Sequence, residues 1–144
     1  MDGLKAGIDY GVIGLLLVLS IWAVAVAIER FGYYRRVRVA EHETRVELEV
    51  ALTRRLVVIG TVAANAPYIG LLGTVLGIML TFHSMGASGD MDVKSIMTGL
   101  SLALKATAMG LLVAIPCVAM NNLLRRRVRE RLAEFDALRE KAGG

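Results

Sequence analysis

The stretch APYIGLLGTVLGIMLTF, residues 66–82, decides the fold class because it contains no acidic or basic side chain. It lies within a longer uncharged run, residues 56–85. Residues 11–28 form another uncharged run, which is about 27 Å long as a helix and so approaches the ~30 Å hydrocarbon core of a bilayer. A third apolar run, residues 93–124, is interrupted by only two lysines. The pattern predicts an all-α membrane protein with three transmembrane helices.

Composition agrees with a membrane protein. The 144 residues suit one domain, 56% of them are hydrophobic, and the mean hydropathy is +0.58. The net charge of +4 is expected to mark one side of the bilayer, and binding to nucleic acid is not expected. The single cysteine, Cys117, excludes a disulfide framework and is interpreted as a packing residue.

The arginines predict the orientation. Residues 29–55 carry seven arginines, and residues 125–144 carry seven lysines or arginines. The amino-terminal segment contains only Lys5, and the loop 86–92 contains no cation. Because basic residues collect on the cytoplasmic side, the amino terminus and this loop are expected in the periplasm and the carboxyl terminus in the cytoplasm. Anionic phospholipid is expected at the cytoplasmic arginines.

The helices are expected to continue into the cytoplasm on both basic segments. Apolar residues recur at helical spacing in each of them. In the first segment this predicts an apolar stripe of Val39, Val46 and Val50 with their neighbours. In the tail it predicts a stripe of Val128, Leu132, Phe135 and Leu138.

No catalytic or metal-binding constellation is recognisable. The two histidines, His42 and His83, lie on segments of opposite sidedness, and no cluster has metal-ligand spacing. Phosphate loops, nucleophile–base pairs and membrane carboxylate pairs are also missing from the sequence. The chain is therefore not expected to be an enzyme or to bind a cofactor, and His83 is interpreted as an interfacial hydrogen-bonding residue.

Small residues and threonines share helix faces in the second and third spans. Small side chains allow close approach of helices in lipid. The predicted packing residues are Gly70, Gly73, Gly77, Ala103, Gly110 and Ala114, and the threonines on the same faces are Thr74, Thr81 and Thr107. A membrane threonine either bonds the carbonyl one turn back or lines a wet cavity, and spacing alone leaves both possibilities open. Pro67 and Pro116 are expected to kink their helices.

NAPYIGLLGTVLGIMLTF, followed by a short loop and GLSLALKATAMGLLVAIP, resembles the MotA/TolQ/ExbB proton-channel family, and most closely its short ExbB-type members. The resemblance implies a symmetric pentamer in the bacterial inner membrane, with a central pore that holds helices of a single-span ExbD-like partner. Proton flow would then drive a TonB-like protein for uptake of iron–siderophores and vitamin B12. It also implies that Thr74 and Thr107 line the pore, with Thr81 on the same face.

The chain departs from this family at two positions. Leu102 stands where longer members have a glutamate, and Lys105 stands where they have a leucine. No acidic residue remains inside the second or third span, so a proton-carrying carboxylate would have to come from the partner helix.

Lys105 is costly in a membrane, by about 3 kcal/mol on insertion scales. It lies two residues, or about 200° of helical rotation, from Thr107 and therefore points away from the expected pore. Three interpretations remain open: an amine that snorkels to the outer headgroups, an ion pair with Asp9, or contact with the partner's carboxylate.

Other functions also remain open from sequence. A TolQ-like subunit for envelope integrity would use the same proton machinery. A non-conducting scaffold for a single-span partner would need no pore. A small multidrug exporter is disfavoured because it would require a membrane acid of its own.

Overall fold

The computed structural model describes residues 2–89 and 92–143, and every regular element in those ranges is helical. The elements are α1 Asp2–Arg36, a 3-10 turn Val39–Glu41, α2 Arg45–Thr53, α3 Leu56–Ser88 and α4 Val93–Gly143. Three of these helices, α1, α3 and α4, are long and apolar enough to cross a membrane. The prediction of an all-α chain with three spanning helices is confirmed.

The predicted outer loop is shorter than expected. α3 continues to Ser88 and α4 begins at Val93, whereas the loop was expected over residues 86–92. Asp90 and Met91 of that loop lie outside the described residues, as do Met1 and Gly144.

The three long helices pack side by side. α3 runs antiparallel to α4, because Gly70 lies against Gly110 while Gly77 lies against Ala103. α1 contacts both helices and runs parallel to α4. One core cluster lies within the spanning region and consists of Leu16, Ala23, Val62, Ala63, Ala66, Val113, Ala114 and Cys117.

A second core lies at the arginine-rich end, where α2 packs against the extended ends of α1 and α4. It consists of Val26, Ala27, Tyr34, Val39, Leu48, Leu52, Leu56, Ile59, Leu124, Val128, Leu132 and Phe135. The predicted tail stripe is buried here except for Leu138, which is 43% exposed. α4 has 51 residues and is therefore about 76 Å long, so it extends well beyond a ~30 Å hydrocarbon core.

The predicted stripe in the first basic segment is wrong in α2. Val46 and Val50 are 70% and 66% exposed, whereas Leu48 and Leu52 are fully buried. Both pairs are four residues apart and occupy opposite helix faces, and the larger leucines bury more apolar surface. The chain is also not one continuous helix here, because Arg55 adopts a left-handed conformation (φ 67°) between α2 and α3.

Pro67 and Pro116 lie inside helices that continue on both sides of them. The side-chain amide of Asn65, two residues before Pro67, donates to the carbonyl oxygen of Thr61 at 2.8 Å. Thr61 is four residues before Asn65, so the bond stays within the turn that precedes the proline.

Candidate functional site at the α3–α4 seam

Glycines bring the backbones of α3 and α4 into direct contact. A Cβ added at Gly70 would lie 2.6 Å from the carbonyl oxygen of Ala106, and one added at Gly110 would lie 2.6 Å from that of Ala66. An added Cβ at Gly77 would lie 2.8 Å from the Cβ of Ala103. No larger side chain fits at these positions without a shift of the facing helix.

The other predicted packing residues lie in the same region. An added Cβ at Gly73 would lie 2.8 Å from Ala106 Cβ and 3.1 Å from Val12 Cγ1. Gly73 is thus a point where α1 meets the contact surface between α3 and α4, which we call the α3–α4 seam. Ala103 and Ala114 are 3% and 4% exposed.

Close packing places the hydroxyl groups of Thr74 and Thr107 in hydrogen-bonding contact. Thr74 is buried, at 7% exposure, and Thr107 is half-buried at the edge of the seam. The Thr74 hydroxyl lies 2.9 Å from the carbonyl oxygen of Ala103 and 3.3 Å from that of Gly70. Thr74 therefore bonds the carbonyl one turn back and also joins a second helix.

Either hydroxyl can donate in the Thr74–Thr107 bond, and the shorter of the two carbonyl contacts of Thr74 favours one arrangement of the protons. A threonine hydroxyl has one proton to donate and two lone pairs. When Thr74 donates to Ala103, the contact with Thr107 requires Thr107 to donate to Thr74. The outward lone pairs of Thr107 are then acceptors, so the exposed end of the pair favours a hydrogen-bond donor.

Thr81 lies further along the same face of α3, two turns from Thr74. It is 5% exposed, and its hydroxyl donates to the carbonyl oxygen of Gly77 at 2.8 Å. The structure therefore pairs the hydroxyl groups of Thr74 and Thr107, while the Thr81 hydroxyl lies two turns further along α3.

Lys105 is exposed on α4, on a polar stripe with the exposed Thr98 and Ser101. The isolated chain forms no ion pair between Lys105 and Asp9, and neither side chain has a polar partner among the described residues. His83 is exposed near the carboxyl-terminal end of α3. Among residues 2–89 and 92–143, no three His, Cys, Asp or Glu side chains converge on a common point.

Sequence reasoning missed a polar cluster at the arginine-rich end. Arg30 is 4% exposed, pairs with Glu29 at 2.5 Å and donates to the carbonyl oxygen of Ala51 at 3.0 Å. The Tyr34 hydroxyl donates to the carbonyl oxygen of Leu52 at 2.5 Å. Both acceptors are among the last carbonyls of α2, which have no partner within the helix, so α1 caps α2. Arg30 and Tyr34 are four residues apart and so lie on one face of α1, and this spacing was the signal in the sequence that could have indicated the cluster.

Residues 13–137 match the MotA/TolQ/ExbB proton channel family. The chain is 52% identical to "Biopolymer transport protein ExbB" of Aquifex aeolicus over 138 residues, which is 96% of this chain and 93% of that protein.

Two further relatives bear on function. The chain is 50% identical to "Putative biopolymer transport protein ExbB-like 2" of Helicobacter pylori, over 92% of this chain and 89% of that protein. It is 42% identical to "Tol-Pal system protein TolQ" of Haemophilus influenzae, but only over 54% of this chain and 34% of that protein. With three spanning helices, an extended match to ExbB-named proteins and the family pattern over nearly its full length, the chain belongs to the MotA/TolQ/ExbB proton channel family.

Proposed function

We propose that this chain is the pore-forming subunit of an ExbB-type motor in the bacterial inner membrane. Five copies surround the helices of a single-span, ExbD-like partner. Proton flow through the complex then energises a TonB-like protein for uptake of iron–siderophores and vitamin B12. The ExbB-named relatives of similar length support this assignment over TolQ.

The observation that carries the proposal is the Thr74–Thr107 hydroxyl pair at the α3–α4 seam. In the proposed ring this seam faces the pore. Thr107 then presents acceptor lone pairs to the lumen, while its proton is held by Thr74. Such an acceptor suits a protonated carboxylic acid or a water molecule.

The proton carrier is proposed to be a carboxyl group of the partner helix. Residues 56–85 and 93–124 contain no aspartate or glutamate, so this chain has no acid of its own to offer there. Its part is to supply hydroxyls, ordered water and the wall of the pore. The glycine contacts keep that wall rigid, since either helix moves only with its neighbour.

The arginine-rich end is proposed to lie in the cytoplasm and the amino terminus in the periplasm. Arg126, Arg127 and Arg129 are exposed on α4 just beyond the apolar part of the helix. This placement suits contact with anionic headgroups.

The test is uptake by cells in which the gene has been replaced by variants. Deletion is expected to abolish growth on a ferric siderophore as sole iron source and to leave detergent resistance intact. Thr74→Val with Thr107→Val is expected to abolish the same growth while the partner protein remains stable. Thr107→Ser keeps the hydroxyl and is the matched control that should still grow.

Two results would point elsewhere. Normal growth of the double valine variant, with a stable partner, would indicate a non-conducting scaffold. Detergent sensitivity and cell chaining on deletion, with normal iron uptake, would move the assignment to a TolQ-like role. The partial similarity to the Haemophilus influenzae TolQ protein is what favours that second candidate.

A further inference from the structure

Asp9 on α1 and Lys105 on α4 lie at about the same level along the helix bundle. Val12 on α1 and Ala106 on α4 both lie against Gly73, so these two residues, 94 positions apart in the chain, are level with one another. At the arginine-rich end, Arg131 donates to the carbonyl oxygen of Tyr34, an offset of 97 positions. Because α1 and α4 are parallel, Asp9 is level with residues 103–106, within about 3 Å of Lys105 along the helix axis.

Their shared depth does not join them within one chain. Lys105 is exposed on α4 and Asp9 is half-buried on α1, and no ion pair connects them. An ammonium group in the hydrocarbon region and a carboxylate at the same level each lack a partner among the described residues. Ionised groups in spanning helices usually pair, because the surrounding lipid cannot solvate them.

Rotational symmetry supplies a partner. Copies of a membrane protein that share one orientation are related by rotation about an axis normal to the bilayer, which leaves the depth of every residue unchanged. In a closed ring, one face of each copy meets a different face of the next, so two complementary groups must lie at equal depth on different faces. Lys105 on α4 and Asp9 on α1 are level with one another and belong to different helices, so they can meet across such an interface.

We propose that Lys105 of one copy forms an intramembrane ion pair with Asp9 of the neighbouring copy. The interface joins the polar stripe of α4, with Thr98 and Ser101, to the outer half of the neighbour's α1. Charge complementarity at one depth fixes both the height and the order of the subunits, because a slip by one helical turn or a reversed neighbour would leave both charges unpaired. The inference rests on the proposed ring of copies.

Cross-linking between copies tests the pair directly. Asp9→Cys and Lys105→Cys are placed in separate, differently tagged chains, each with Cys117→Ala, and co-expressed with the partner protein. A short bifunctional maleimide should yield a dimer that carries both tags. Leu104→Cys in place of Lys105→Cys is the matched control, because it is exposed and one residue away but points about 100° from Lys105. The 9/105 combination should give several-fold more dimer than 9/104.

A charge exchange provides a second readout. Asp9→Lys and Lys105→Asp alone should each lower the fraction of intact oligomer in mild detergent, and the double variant should restore it. Failure of the exchange to restore the oligomer, together with equal 9/104 and 9/105 cross-linking, would overturn the pair. Cross-linking of Lys105→Cys mainly to the single-span partner would overturn it in favour of a partner contact. Labelling of Lys105→Cys by a membrane-impermeant reagent in the intact complex, with no 9/105 dimer, would show that position 105 is open to water and would also overturn the pair.

These outcomes are separable from those that concern the proposed function. If the threonine variants lose siderophore growth but no 9/105 dimer forms, the motor is supported and the pair is rejected. If the 9/105 dimer forms but cells lacking the gene take up iron normally, the pair is supported and the TonB-dependent role is rejected.

Discussion

The backbones of Gly70 and Gly110 touch across the α3–α4 seam, and a methyl group on either glycine would lie 2.6 Å from a carbonyl oxygen of the facing helix. Replacing Gly70 by alanine is therefore expected to force the helices apart and to lower the free energy of unfolding by about 1–3 kcal/mol. Thermal unfolding of the complex in detergent measures the effect.

Gly14→Ala is the matched control for this prediction, because an added Cβ at Gly14 meets nothing within 4 Å. Alanine is the better helix former, so this variant should be neutral or slightly more stable. Equal loss of stability in both variants would contradict the close approach of α3 and α4.

Tyr34 should contribute to stability through its hydroxyl. Tyr34→Phe removes the donor to the carbonyl oxygen of Leu52 and leaves that acceptor buried, at an expected cost of about 1 kcal/mol. Tyr33→Phe serves as the control, since no hydrogen bond from its hydroxyl is formed among the described residues. The melting temperatures of the two variants give the comparison, and identical values would argue against the cap on α2.

The two faces of α2 should respond differently to truncation. Leu48 is fully buried, so Leu48→Ala is expected to cost about 2–5 kcal/mol. Val46 is 70% exposed, so Val46→Ala should change the free energy of unfolding by less than about 0.5 kcal/mol. Limited proteolysis of residues 37–55 reports the same difference, with rapid cleavage expected only for the leucine variant. Greater sensitivity of the valine variant would reverse the assigned face.

Replacing Arg55 by glycine should make the protein more stable. The Arg55 φ of 67° lies in the left-handed region, which costs a residue with a Cβ about 1–2 kcal/mol, and glycine adopts it freely. Arg55→Gly is expected to raise the melting temperature, whereas Arg55→Val should lower it. Arg54→Gly is the control, because Arg54 has a φ of −54° and gains nothing from glycine. A lower melting temperature for Arg55→Gly than for Arg54→Gly would count against backbone strain at this turn.

Residue size explains the main error in the sequence analysis. Valines 46 and 50 and leucines 48 and 52 have the same spacing of four, so periodicity predicts an amphipathic helix but does not say which face is inside. The structure buries the leucines because the inner face of α2 must fill the space between α1 and α4. Arg30 was equally hidden from sequence reasoning, because a basic residue at the end of a span normally indicates a solvated membrane edge.

The sequence by itself determined three spanning helices, because long uncharged runs have few alternatives in a chain rich in arginine elsewhere. It also placed the small residues and threonines on common helix faces, which depends only on helical periodicity. Only the tertiary structure decided that Thr74 bonds Thr107, and that Asp9 stands level with Lys105 without touching it. The reason is that helical periodicity gives only the angle of a residue about the axis of its own helix. The register between helices depends on which residues of one helix fit against the glycines of the next.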